Sequence, residues 1–217
     1  MAADKTALSN LALQMIGSNR IASFTEDSRE ARAITTIYDD ARQEILCENP
    51  WTFAQKRVYL NQVLVTLPSN IYSQWDGIIV AYAVPDDLLK ANYISQFNAT
   101  HKFEVISGVK YILSDTLNLG LIYTYDCDDP TMYFPKFTAA FATLLAAKLC
   151  FNLSESRNKS ADLYTQYEEK DLPAACAADS QQGSPVQPVM DEWEQARLSG
   201  GTPFIIQPGS QTWGYPW

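Results

Sequence analysis

The sequence predicts an α+β fold: an α-helical bundle of two N-terminal and two C-terminal long helices, a small inserted antiparallel β-rich portion, and an extended C-terminal tail. Three observations predict it. Apolar residues recur with helical spacing at both ends of the first 180 residues, and they alternate with period two between them. Past residue 180 the chain turns to Gln, Gly, Pro and aromatic residues. The expected organisation is 1–50 and 130–180 as helical bundle, 51–129 as β-rich insertion, and 181–217 as a docking tail with a short helix.

Leu8, Leu11, Ala12, Met15 and Ile16 fall on one helical stripe, and Gly17 follows where a left-handed C-terminal residue is expected. The second helix is expected to start at Asp27, with Glu30 three residues on as in a capping box. Its buried stripe reads as Ile34, Ile37 or Tyr38, Ala41 and Ile45, leaving Arg29, Arg32, Asp39, Asp40, Arg42 and Glu44 on the solvent side. Pro50 drives Asn49 out of the α region, so this helix ends near Glu48.

From Trp51 the period changes. Phe103, Val105, Val109, Tyr111 and Leu113 around Ser107-Gly108 predict a hairpin, Leu121 to Tyr125 a strand, and Gly77 to Ala83 another. Pro85-Asp86-Asp87 is expected to open a short helical turn. Trp51 and Phe53, directly after the break, are expected to anchor the bundle to the sheet. Pro135 begins the third helix, whose Phe137, Phe141, Leu144, Leu145 and Leu149 are flanked by alanines, so that it should pack on every side. The fourth, from about Ser156, uses Ala161, Tyr164, Tyr167 and Leu172, and a kink or an end is expected at Pro173.

Composition bounds the function. A net charge of -9 opposes free association with polyanions, because nucleic-acid binders displace counterions with a basic patch. Cys47, Cys127, Cys150 and Cys176 form no C-x-x-C pair, and the N-terminus lacks a signal-peptide pattern, so reduced thiols are expected. The apolar run from Thr138 to Phe151 is shorter than the roughly 20 residues a bilayer requires, and no membrane partner is expected. Phe204, Ile205, Ile206, Trp213, Tyr215 and Trp217 sit among prolines in a segment that cannot build a core alone; they are the expected residues for docking onto another chain.

Several stretches together carry a resemblance: Asn10 to Ile21 (NLALQMIGSNRI), Cys47 to Phe53 (CENPWTF), Ala83 to Leu89 (AVPDDLL), Ile122 to Asp126 (IYTYD) and Phe134 to Leu149 (FPKFTAAFATLLAAKL). Over roughly residues 5 to 180 the chain resembles the tail tubular protein A family of short-tailed bacteriophages. The resemblance implies a virion structural protein without catalysis, metal or cofactor, assembled in the host cytoplasm into a head-to-tail adaptor. Its partners would be about twelve copies of itself closing into a ring, the portal, and a nozzle similar to tail tubular protein B, with DNA crossing the lumen. It also implies that the C-terminal segment engages the portal. Pro173 and the aromatic tail depart from the family pattern. Such a channel is expected to be polar and neutral or negative, since a wall that holds phosphates would impede DNA.

Other chemistry is weaker in the sequence. His101 lies between strand candidates without a nucleophile at a telling distance. Asp126, Asp128 and Asp129 resemble a calcium loop but have Phe137 at the twelfth position. Ser156-Arg157-Asn158-Lys159 matches S-x-x-K, though a helix cap explains the serine more simply. Two alternatives stand beside the adaptor: a monomeric enzyme or ligand module using Asp86, Asp87 or Asp126, and another phage connector such as a head-completion protein.

Overall fold

The computed structural model describes residues 4–64, 80–94, 100–154 and 156–182. The described residues all belong to one compact unit. Helix α1 (Lys5–Ile16) ends at Gly17, whose φ of 80° is the left-handed conformation an L side chain resists. The Gly17 and Ser18 amides return to the Gln14 and Leu13 carbonyls. Its buried face is Leu8, Ser9, Ala12, Leu13 and Ile16; Leu11 and Met15, expected inside, are exposed. The five apolar residues fit more than one stripe, and packing selected the one containing Leu13.

Helix α2 (Arg29–Glu48) starts one residue later than a cap at Asp27 would place it. Ser28 is the cap, its hydroxyl accepting from the Ala31 amide at 3.2 Å, while Asp27 pairs with Arg32 at 2.5 Å. Helix α3 (Pro135–Ser154) is central: α1, α2 and both helices that follow pack against it. Its alanines allow those approaches. Helix α4 (Arg157–Gln166) passes through a π-helical turn, Tyr167–Asp171, into α5 (Leu172–Ser180).

The chain neither ends nor breaks at Pro173. Proline occupies the first turn of α5, where its missing N–H is not required, and the Leu172 amide bonds the Tyr167 carbonyl in the wider π pattern. Ala161, expected on the packed face, is exposed; Tyr167 and Ala175 are buried.

The expected architecture, a bundle of long helices with a small β insertion, is overturned by the strand content. Among the described residues seven strands form two antiparallel sheets: β1 (Gln55–Tyr59), β2 (Gln62–Val63), β3 (Val80–Ala83), β4 (Leu88–Ile94), β5 (His101–Ile106), β6 (Val109–Ser114) and β7 (Gly120–Tyr125). The orders are β1-β7-β4 and β2-β3-β6-β5. They have a core of their own in Leu60, Tyr82, Ile112, Leu119, Leu121 and Tyr123. The long-range pairings β1–β7 and β3–β6, with no local turn to announce them, are what a reading by segments leaves out.

The β5–β6 hairpin has a two-residue loop, Ser107 and Gly108, with φ of 53° and 84°. Both positive angles suit the right-handed strand twist. Pro85 to Leu88 is a tight turn between β3 and β4, closed by the Leu88 amide on the Pro85 carbonyl at 3.1 Å, not the helical turn expected there. Of the Gly77 to Ala83 strand, residues 77–79 lie outside the described residues.

Candidate assembly surfaces

The break after α2 is where helices and sheets are joined. Trp51 is fully buried, and its indole N–H donates to the Ile45 carbonyl at 2.8 Å. The ring lies edge-on to Phe137 at 5.0 Å; Phe53 is 4.8 Å from Phe137 and 5.4 Å from Tyr133. These contacts hold the start of β1 against α3. Asp179, buried near the end of α5, accepts from the Thr52 amide at 3.1 Å and the Thr52 hydroxyl at 2.7 Å. The last helix is thereby tied to the break. Nothing local marks Asp179, since its partner is 127 residues away.

Arg42 departs furthest from expectation. Placed on the solvent side of α2 by its position in the helical pattern, it is only 5% exposed. Its guanidinium pairs with Asp39 at 3.2 Å, with Asp126 at 2.9 Å and with Asp128. Lys5 lies 2.5 Å from Asp128, and the Gln43 amide donates to Asp126 at 3.0 Å. This network fastens α1 and α2 to the segment leaving β7. It also consumes Asp126 and Asp128, the acids that suggested a calcium loop, while Asp129 accepts from the Thr131 amide at 2.9 Å and caps the following turn. Among the described residues no three His, Cys, Asp or Glu side chains gather in a metal-binding arrangement.

Beside the network opens a pocket of about 420 Å³ lined by Asp4, Lys5, Thr6, Phe24, Thr35, Tyr38 and Asp39. The Tyr38 ring lies 5.4 Å from Phe24, edge-on, and 5.3 Å from Phe141. Burial pushes its phenol well above the ordinary value; Arg42 opposes this, and the Asp128 and Asp39 charges add to it.

Asp87 is engaged elsewhere. Lys56 reaches it at 2.5 Å and the Tyr123 hydroxyl donates to it at 2.9 Å. Burial favours its neutral form, but these two hydrogen bonds and the Lys56 charge outweigh it and hold the carboxyl below the usual range. The Lys56 ammonium also lies 4.0 Å from the centre of the Tyr125 ring. Asp87 and Asp126 therefore face different cations. Asp86 is exposed in the same turn, and His101 is an exposed residue at the start of β5. Ser156 caps α4, accepting from the Lys159 amide, and the Lys159 ammonium bonds the Ile16 carbonyl at 3.0 Å. Both named residues of the S-x-x-K match thus have structural partners. The four cysteines are free thiols, and burial raises those of Cys47 and Cys176.

Exposed apolar side chains occur on separate elements. Leu11 and Met15 stand one turn apart on α1. Tyr59 and Tyr93 lie on the three-stranded sheet, and Phe103, Val105 and Val109 on the β5–β6 hairpin. Phe204, Ile205, Ile206, Trp213, Tyr215 and Trp217 lie outside the described residues. Helix α3 is the one helix among the described residues long and apolar enough to cross a membrane, and 61% of that stretch is buried.

Neither a protein-family model nor a curated protein matches the chain.

Proposed function

We propose that this chain is a structural virion protein, a head-to-tail adaptor whose copies close into a ring between portal and nozzle and leave a lumen for DNA. The observation that carries the reading is the separation of exposed apolar side chains onto distinct elements, α1, the three-stranded sheet and the β5–β6 hairpin. A closed ring needs a heterologous contact, one surface of each copy meeting a different surface of the next. The sequence resemblance points the same way, and the acidic composition suits a wall past which phosphates slide. Engagement of Asp87 and Asp126 by different cations weighs against a pocket built from them.

The test is to mix the full-length protein with the portal of the same phage and to image the products by negative stain. Rings seated on the portal are the expected result. A chain that stays monomeric with the portal present across a range of salt and pH would overturn the proposal.

A further inference from the structure

Antiparallel partners share a face, so Arg57, its partner Ile122 and Tyr93 beyond it form one row across the three-stranded sheet. Tyr59, two residues after Arg57, lies on the same face. At one end this face is closed: Thr124 is fully buried and Lys90 reaches the Cys47 carbonyl of α2 at 2.7 Å. At the other it is open. Tyr59 is 77% and Tyr93 57% exposed, and Arg57 is exposed, its guanidinium making no hydrogen bond or ion pair among the described residues. An unpaired guanidinium near two tyrosine rings joins residue types that dominate interface energies.

Charge identifies what would cover it. Among the described residues the 420 Å³ pocket, lined by Asp4 and Asp39, and the network beside it, with Asp126 and Asp128, set four carboxylates against Lys5 and Arg42, an excess of two. Phe24 and Tyr38 add aromatic surface to the same pocket. A third cation with flanking aromatic rings complements this site in both charge and character. The imbalance extends along the chain: residues 1–50 carry eight acids and five bases, whereas residues 51–125 carry five of each.

We propose that the Arg57, Tyr59 and Tyr93 face of one copy docks on the Asp4, Phe24, Tyr38 and Asp39 pocket of a second copy, Arg57 supplying the missing cation. The inference rests on the ring reading above and names its contact. The two surfaces belong to different elements, so the contact is head-to-tail and each copy added leaves one of each surface open. A single guanidinium on a chain of net charge -9 makes nucleic acid the poorer occupant.

The test is charge reversal and its rescue in the full chain, read by sedimentation and by ring yield on the portal. Arg57→Glu and Asp39→Arg should each weaken self-association by about tenfold or more, and the double variant should recover it. Asp39 also pairs with Arg42, so Asp4→Arg replaces it if circular dichroism shows Asp39→Arg unfolded. Wild-type yields from Arg57→Glu would overturn this contact and leave the ring reading standing. Failure of the wild-type chain to form rings on the portal would remove both. Loss of single-stranded oligonucleotide binding in Arg57→Glu, with rings intact, would reassign the face to nucleic acid and overturn the proposal.

Discussion

A buried charge depends on every partner it keeps. Arg42 has three carboxylates around it, and removing the guanidinium while leaving Asp126 and Asp128 leaves repelling acids at a half-covered site. Arg42→Met is expected to lower stability by about 3 kcal/mol in urea unfolding, well above the effect of a surface arginine. A second residue-scale expectation concerns alkaline pH. Burial, then the hydrogen bond to Asp87, pushes Tyr123 up to about 12. A hydrogen bond to Cys127, then burial, does the same for Tyr125. A raised phenol favours its neutral form in the fold, so its stabilisation is complete below the ordinary tyrosine value near 10 and is lost as pH climbs towards about 12. Melting temperature should be flat from about pH 7 to 9 and fall above about 10, and Tyr123→Phe should flatten that fall. The tyrosines were visible in the sequence as an alternating strand, but their shared acid, Asp87, was assigned to a helical turn instead. That error has a local cause: Pro-Asp-Asp opens tight turns and helices alike.

At the scale of elements, ends were more legible than faces. Gly17 marks the end of α1 through its lack of a Cβ, and space around it is open, so Gly17→Ala is expected to cost only the left-handed conformation, about 1 kcal/mol in thermal unfolding. A larger loss would show that the loop to Ile21 shifts with it; Asn10 clamps that loop by exchanging hydrogen bonds with the Ile21 backbone at 2.9 and 3.0 Å. The end of α2 at Glu48 and the hairpin turn at Ser107-Gly108 were equally direct, because proline and a pair of positive φ angles act on the backbone itself. Faces are different. Leu11, Met15 and Arg42 were misassigned because helical spacing says which residues are neighbours but not which neighbours meet another element. Pro173 shows the same limit, since a π turn placed before it let the helix continue.

For the whole molecule, the fully buried members of the apolar clusters among the described residues run no later than Ala175. Truncation after Gly201 is therefore expected to leave the circular dichroism spectrum and the cooperative melt of the chain in place while abolishing incorporation into particles. Normal incorporation would remove the docking role assigned to Phe204, Ile205, Ile206, Trp213, Tyr215 and Trp217. By itself the sequence determined the order of helical and extended segments, the breaks at Gly17 and Pro50, and a central helix apolar on every side. Each is a property of a short stretch, carried by backbone preference or by periodicity. Only the tertiary structure decided that the middle is two sheets with their own core and that Asp179 holds Thr52. It alone turned Arg42 inward among three acids while Arg57 stayed exposed. Those outcomes depend on contacts between residues far apart in the chain, whose energies exist only once the segments have met.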